Sequence, residues 1–297
     1  MIDLDIDFYR KWACQKMIES SQSNIWEGHW ACAVIALTEL LEDKLVPAKL
    51  EDLIRKNLDK VVEEHANEQQ YRANTEYEDF PAQMMKLLVQ KSHTCHALGH
   101  DAIYTFYLLS MLSRSHIPAT AELFDAMGKM VSSFAASGPG FVTVNGENIV
   151  IDPDGVPNTG VRLQLTPETL LDLLHNFQRP LQMEKGDMQL GHILTHGHAI
   201  VEMKQAYRHY VHDNLDPAFY TRINLLAYAN TLEENRVVES DSMVMENELN
   251  PLEPSYWEQA LVESRHGHFY KYAYSYLRLC RISGRSPSDF RLFQRIL

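Results

Sequence analysis

A Gly-His dipeptide occurs five times in this chain of 297 residues, each time beside an apolar stretch with helical periodicity. The five pairs are Gly28-His29, Gly99-His100, Gly191-His192, Gly197-His198 and Gly267-His268. Composition alone would give on the order of one such pair, so the excess indicates a repeated structural device. Imidazole is the commonest transition-metal ligand, and the gathering of histidines from distant segments therefore predicts an interior metal site.

The composition narrows the classes of partner. The apolar content of 45% is ordinary for a soluble globular protein. The formal net charge of −13 and a pI near 5.5 argue against nucleic acid or an anionic membrane as a partner, because both bind clustered Lys and Arg. A small neutral or aromatic substrate fits this charge better. The four cysteines lie far apart without CxxC spacing, which predicts neither a zinc ribbon nor a disulfide framework.

The N-terminal segment and the apolar stretches predict a cytoplasmic protein. Residues 1–7 are acidic and lack the basic start and apolar core of a secretory signal. The longest apolar stretch, residues 102–112, is too short to span a bilayer. The sequence gives no indication of the oligomeric state.

Hydrophobic periodicity predicts an all-α fold. Nearly every segment is amphipathic with a helical period, and capping residues and prolines separate the segments by short connectors. We expect a single domain over residues 1–297, built of antiparallel helices around a central pocket. The exception is residues 137–159, where alternating apolar residues flank Asn145-Gly146, a type I′ turn signal that predicts a β-hairpin excursion.

The segment from Ser92 onwards carries the densest group of histidines. On one continuous helix, His93, His96, His100 and Tyr104 would lie in a stripe roughly 80° wide. His96 and His100, at i and i+4, have the spacing with which two imidazoles bind one metal ion. Asp101 would sooner orient a neighbouring imidazole than bind the same ion.

A second histidine group occupies residues 191–202. His192 and His196 share a helix face at i and i+4, whereas His198 lies about 120° around the helix. His198 could turn inward at an irregularity near Gly197, or could form a structural pair with Glu202. The sequence leaves both arrangements open, with His192 the somewhat stronger ligand candidate.

Two further histidines begin apolar helices. His29 precedes a run of small residues that would let another helix approach closely, so a buried His29 needs a hydrogen-bond or metal partner. His268 and Lys271 lie at i and i+3 on a tyrosine-rich helix. If Lys271 points inward, it must lose its charge, pair with a carboxylate or be modified. A carboxylated lysine would supply oxygen ligands.

Taken in order, these motifs resemble the questin oxidase family. The resemblance lies in a histidine that begins an N-terminal apolar helix, a His-x-x-x-His-x-x-x-Tyr helix, a later His-x-Val-Thr-x-x-His-Ala segment and a closing His-x-x-Lys helix. The third segment is residues 192–199 here, where Leu194 replaces the valine. The resemblance implies a helical oxygenase that opens rings of anthraquinone-type or related aromatic polyketides, in some relatives with non-haem iron held by histidines and a modified lysine.

The resemblance implies one Fe(II), although the imidazole-rich set also suits zinc, copper or nickel. The expected ligands are His29, His96 or His100, His192 or His198, His268, and Lys271 after carboxylation. Tyr104 and Tyr270 are expected to line the pocket as catalytic residues. Dioxygen and a flat aromatic molecule would be the substrates, and a reduced nicotinamide is a candidate cosubstrate.

Two alternatives from other classes stay open. In the first, His100-Asp101 is the doublet of an HD-type metal phosphohydrolase and His65 is the upstream ligand. In the second, the chain is a non-catalytic helical interaction protein whose Gly-His pairs serve only in close packing and capping. Stoichiometric metal and converging histidines would separate the oxygenase from the second alternative.

Overall fold

The fold is described by a computed structural model that covers residues 5–72, 76–91, 96–137, 141–144, 147–150, 164–176, 186–211, 214–229, 249–287 and 290–297. These residues are mostly helical, which confirms the predicted all-α class. The helices are α1 (Ile6–Gln22), α2 (Gly28–Glu42), α3 (Glu51–Glu64), α4 (Phe80–Lys91), α5 (His100–Ser113), α6 (Ala121–Ala135), α7 (Pro167–Asn176), α8 (Gly186–Ala206), α9 (Arg208–Val211), α10 (Asp216–Ala229), α11 (Pro254–Val262), α12 (His268–Ile282) and α13 (Arg291–Ile296).

One small sheet interrupts the helices. Strand β1 (Phe141–Val144) pairs antiparallel with β2 (Glu147–Val150), and Phe141 lies opposite Val150. Both strands fall within the segment for which a hairpin is predicted. The expected Asn145-Gly146 turn and residues 151–159 lie outside the described residues.

Helix α2 lies at the centre of the molecule. Residues 28–40 are buried on every side, as expected for a helix that is apolar all round. Cys32, Ala33 and Ala36 are fully buried, and their small side chains let neighbouring helices approach closely. The central helix can therefore contact several others at once.

Four helices form a closed ring in which each packs mainly against two others. Helix α2 packs against α5 and α12, and α8 packs against the same two helices. Histidines near the beginnings of these helices meet at one end of the ring. At the opposite end, Arg114 beyond α5 pairs with Asp43 beyond α2, and Arg278 of α12 pairs with Glu202 of α8. The four helices therefore run parallel to one another.

The predicted antiparallel arrangement applies to α1 against α2 and to α2 against α3. Arg10 near the start of α1 pairs with Glu42 at the end of α2, and Trp30 near the start of α2 stacks on His65 after α3. For the ring the prediction is wrong, because the chain returns to the histidine end before each ring helix begins.

Two further predictions concern the interior and the membrane. Tyr107 and Ser275 are buried inside the ring, so side chains occupy the interior at their level. The predicted central pocket therefore stays a prediction. Among the described helices, none combines the length and apolar character needed to cross a bilayer.

Candidate metal centre

Four imidazoles converge at one end of the ring, and each comes from a different helix. His29 of α2, His100 of α5, His192 of α8 and His268 of α12 each place one ring nitrogen within 4.8 Å of the others. The first three are only 6%, 2% and 1% exposed, and His268 is partly exposed. The predicted convergence of distant histidines therefore occurs, and the group is compatible with a metal site.

A shared backbone contact orients three of the four rings. In each case Nδ1 lies at hydrogen-bond distance from the carbonyl oxygen three residues earlier. The pairs are His29 with Trp26 at 2.8 Å, His100 with Ala97, and His268 with Arg265 at 2.5 Å. Because a carbonyl can only accept, Nδ1 carries the proton and a neutral ring keeps its lone pair on Nε2.

The Nε2 atoms point at one another. His100 Nε2 lies 2.9 Å from His29 Nε2 and 3.2 Å from His192 Nε2. With both Nδ1 atoms protonated, His29 and His100 bring two acceptors together without a proton between them, which is unfavourable unless a cation is bound. The buried Nε2 of His268 has no hydrogen-bond partner. This arrangement fits a metal ion held by four Nε2 atoms.

Burial keeps these imidazoles neutral. It lowers the pKa of His100 to about 3 and holds the pKa values of His29, His192 and His268 well below the usual 6.5. Metal ions bind the neutral form of imidazole. At neutral pH the four rings are therefore already in the form that binds a metal.

Lys271 lies beside the four imidazoles and is only 2% exposed. Burial lowers the pKa of its ammonium group to about 7, and Cys32 is the one described group that acts in the opposite direction. The positive charge of Lys271 in turn lowers the pKa values of all four histidines. Near neutral pH a substantial fraction of this lysine is uncharged.

Two glycines allow the tight turns that precede His100 and His268. Gly99 and Gly267 have φ angles of +81° and +72°, and the two residues before each of them are also left-handed. A glycine adopts this conformation without the strain that a side chain would add. A Cβ atom at Gly99 would lie 2.5 Å from the His196 ring.

The glycines before His29 and His192 leave room for tyrosines. A Cβ atom at Gly28 would lie 2.5 Å from the Tyr104 ring, and one at Gly191 would collide with the Tyr272 hydroxyl. The Gly-His pairs are therefore explained by close packing beside each ligand candidate and, in two cases, by backbone conformation.

His96 does not belong to the cluster, which corrects the predicted histidine stripe. Helix α5 begins at His100, because residues 97–99 form a 3-10 turn in which Leu98 is left-handed with φ 61°. His96 stands before that turn and is not on the helix, so its i and i+4 relation to His100 does not bring both to one face. His93 lies outside the described residues.

His198 also lies apart from the cluster. Its Nδ1 is 3.1 Å from the Ser275 hydroxyl, and its Nε2 is 3.7 Å from the Glu202 carboxylate. Helix α8 is continuous through Gly197, so no irregularity turns His198 inward. Of the two arrangements left open by the sequence, the structure contains the pair with Glu202.

The two predicted tyrosines differ in position. The Tyr104 hydroxyl lies 2.7 Å from His29 Nδ1, at the edge of the cluster. The Tyr270 hydroxyl instead donates to Asn57 Oδ1 at 3.0 Å, towards α3. Tyr270 is two residues from His268, about 200° around the helix, so its predicted place at the site is wrong.

Sequence reasoning missed Tyr272 and Trp26. Tyr272 is at i+4 from His268, and the two ring centroids are 5.2 Å apart. The i and i+4 spacing could have predicted this contact from the sequence. Trp26 contributes the carbonyl that binds His29 Nδ1, and its indole lies 5.1 Å from the His100 ring.

The geometry does not favour the phosphohydrolase alternative. His65 stacks on Trp30 with ring centroids 3.7 Å apart, and Asp101 is not part of the group of four.

In comparisons with protein-family models, curated proteins and solved structures, no match to this chain was found.

Proposed function

We propose that this chain is a non-haem iron oxygenase that oxidises an aromatic or quinone-type small molecule with dioxygen. The observation that supports it most is the convergence of His29, His100, His192 and His268 with their Nε2 atoms facing one another. Such a set binds a transition metal through neutral nitrogen ligands.

The donor set favours iron over thiolate-preferring metals. Cys32 is not part of the four-histidine group, and burial raises the pKa of its thiol to about 12, which disfavours the thiolate that such metals prefer. Iron in such a site supplies the activation of dioxygen for attack on an electron-rich ring. The resemblance to questin oxidases, carried by the four motifs, gives the substrate class.

Lys271 would complete the site as a carbamate. Its pKa of about 7 leaves a neutral amine with a free lone pair near physiological pH. This nitrogen would attack carbon dioxide, forming an N–C bond as one C–O π bond breaks, and the neutral amine would release one proton to give an anionic carbamate. The carbamate oxygens would then lie beside the histidines as ligands.

The helix directions give an electrostatic reason for an anionic ligand. Helices α2, α5 and α12 all begin at the cluster, with His29 at the second position and His100 and His268 at the first. Helix N-termini carry partial positive charge. A carbamate on Lys271 would offset this charge together with that of the metal, which four neutral imidazoles cannot do.

The remaining residues orient the ligands and exclude water. The Tyr104 hydroxyl and the Trp26 carbonyl both contact His29 Nδ1, so they fix the ring orientation. Phe134 is fully buried and packs against the His100 ring with centroids 5.7 Å apart. The protein thus supplies a dry, oriented site for two reactants.

Metal analysis of anaerobically purified protein tests the first part of the proposal. We expect one iron per chain, and loss of the iron in His29→Ala and His268→Ala. His175→Ala is a matched control on α7, because His175 is not part of the four-histidine group. Full metal content in both ligand variants would contradict the proposal.

Oxygen consumption tests the second part. The iron-loaded protein is mixed with 1,8-dihydroxyanthraquinone in an oxygen electrode, with and without a reduced nicotinamide. We expect substrate-dependent oxygen uptake that His29→Ala and His268→Ala abolish. Release of phosphate from nucleotides without oxygen uptake would instead support the phosphohydrolase alternative.

Lys271 carboxylation has a spectroscopic test of its own. Protein equilibrated with ¹³C-bicarbonate should show a carbamate carbon resonance that is absent in Lys271→Ala. Failure to see the resonance in the iron-free or zinc-substituted protein at pH 8 would remove Lys271 from the ligand set.

A further inference from the structure

Trp26 is an exposed tryptophan beside the metal centre. Its side chain is 43% exposed, whereas Trp12, Trp30 and Trp257 are 7%, 8% and 0% exposed. Scattered exposed apolar residues are ordinary on protein surfaces. The position of Trp26 distinguishes it, because the other exposed large apolar side chains, such as Phe8, make no ring contact with the cluster among the described residues.

The Trp26 indole is exposed to solvent and also contacts two of the four histidine rings. Its ring centroid lies 5.1 Å from that of His100 in an edge-on arrangement and 6.0 Å from that of His29. Phe134 supports it from the interior at 5.4 Å. A flat ring stacked on the indole would therefore contact a side chain that itself contacts two of the four histidines.

The segment that carries Trp26 is held in place. The Trp26 amide donates to Asn24 Oδ1 at 3.2 Å, and the Trp26 carbonyl accepts from His29 Nδ1 at 2.8 Å and from Tyr104 at 3.4 Å. The backbone that orients a ligand histidine thus also fixes the indole. The platform is pre-organised, so little ordering entropy is lost when a ligand binds.

We propose that the Trp26 indole is a binding and selectivity residue, on which a planar aromatic substrate stacks next to the metal centre. The proposal rests on the proposed function for the identity of the reaction. The stacking itself depends only on the exposed indole and on its contacts with His100, His29 and Phe134. It predicts a preference for planar aromatic molecules over saturated ones of equal size.

Isothermal titration of a matched pair of small ligands, 2-naphthol and trans-2-decalol, tests this preference on the metal-loaded full-length protein. We expect Trp26→Ala to weaken 2-naphthol binding about fivefold, the size of an aromatic stacking contribution, and to leave trans-2-decalol binding unchanged. Trp26→Phe should stay within about twofold of the parent chain because it keeps an aromatic face. Phe8→Ala is the control for loss of an exposed aromatic elsewhere.

Equal 2-naphthol affinity in Trp26→Ala and the parent chain would overturn the proposal. So would an equal loss for both ligands, which would indicate a general apolar surface, or the absence of 2-naphthol binding by the parent chain. Because the Trp26 carbonyl belongs to the backbone, the metal content of Trp26→Ala should remain that of the parent.

Repeating the titration on chelated protein separates the two proposals. If the chain fails to bind iron on reconstitution, the oxygenase proposal is contradicted, and a Trp26-dependent preference in that same protein would still support the platform. An iron-loaded, oxygen-consuming chain whose 2-naphthol binding does not depend on Trp26 would support the oxygenase and contradict the platform. In the active protein, Trp26→Ala should raise KM for 1,8-dihydroxyanthraquinone more than it lowers kcat.

Discussion

The two ends of the helical ring bring different kinds of polar group together. At the histidine end, formed by His29, His100, His192 and His268, nitrogen acceptors face one another. At the other end, opposite charges face one another. This ion-pair end consists of Glu39, Asp43, Arg114, Glu202 and Arg278.

At the ion-pair end each arginine lies next to carboxylates of the same chain. Arg114 lies 2.5 Å from Glu39 and 2.7 Å from Asp43, and Arg278 donates to Glu202 at 2.6 Å. Both arginines lie towards the C-terminal ends of their helices, where the helix dipole favours a cation. The four helices thus begin at a group of facing imidazoles and end at a group of ion pairs.

Buried acceptors that face one another mark a candidate functional site, because buried polar groups normally face donors. His192 and His198 differ in this respect within a single helix. His198 lies 3.1 Å from the Ser275 hydroxyl and 3.7 Å from the Glu202 carboxylate, whereas His192 Nε2 lies 3.2 Å from His100 Nε2.

Removing one buried histidine inside the cluster and one outside it tests whether the cluster alone binds the metal. We expect His100→Ala to lose the metal, because His100 is the central ring of the cluster, and His198→Ala to keep one ion per chain. Both changes delete a buried imidazole, so they create cavities of similar size. Metal content after dialysis, measured by mass spectrometry, checks the result. Equal retention in both variants would contradict the assignment.

Removing the metal should lower the free energy of unfolding, and this loss should depend only on the histidine end. With free metal at a hundred times its dissociation constant, binding adds about 2.7 kcal/mol to the free energy of unfolding. Urea unfolding with and without a chelator measures this increment. His268→Ala should abolish the increment, whereas His198→Ala should lower stability equally in both conditions. An increment preserved in His268→Ala would count against that ligand.

Disrupting the ion-pair end should affect stability and leave the metal in place. Arg278→Met removes a partly buried cation that donates to Glu202, and we expect a loss of about 2 kcal/mol. The double variant with Glu202→Gln should recover part of this loss, because no unpaired carboxylate then remains. Metal loss in Arg278→Met would show that the two ends are coupled.

Tyr104→Phe should weaken metal binding modestly. The Tyr104 hydroxyl contacts His29 Nδ1, and removing such a partner of a metal ligand costs about tenfold in affinity. Tyr107→Phe, three residues later on α5, is the matched control because the Tyr107 hydroxyl contacts the Lys271 carbonyl and Ser275 instead. A competition assay with a metallochromic chelator gives both affinities, and equal values would remove Tyr104 from the site.

The smallest expected effect is a pH dependence at the ion-pair end. Burial raises the pKa of Glu39 from 4.5 to about 7 despite Arg114. Between these values the folded chain binds more protons than the unfolded chain, so the contribution of Glu39 to stability is present below pH 4.5 and is lost as pH rises through 7. Glu39→Gln should remove this component from a pH series of unfolding curves. An unchanged pH profile would contradict the raised pKa.

Much of the candidate site could be predicted from the sequence. Four of the five Gly-His pairs supply the cluster, because a glycine beside each histidine leaves room for a neighbouring side chain. The helical periodicity that predicts an all-α fold is equally local. The i and i+3 spacing of His268 and Lys271 does place both near the other imidazoles.

The rest depends on features that a local pattern does not encode. The left-handed Leu98 breaks the helix between His96 and His100, and a leucine gives no signal for that conformation. The parallel direction of the four ring helices is set by long-range packing. The role of the Trp26 carbonyl comes from the backbone, which every residue shares.

The most direct test of the central claim is an X-ray absorption spectrum at the iron edge of the anaerobically reconstituted protein. The account predicts a first shell of nitrogen and oxygen atoms with the outer-shell scattering of four imidazole rings. A spectrum without imidazole scattering, or a chain that retains no metal after reconstitution, would contradict it.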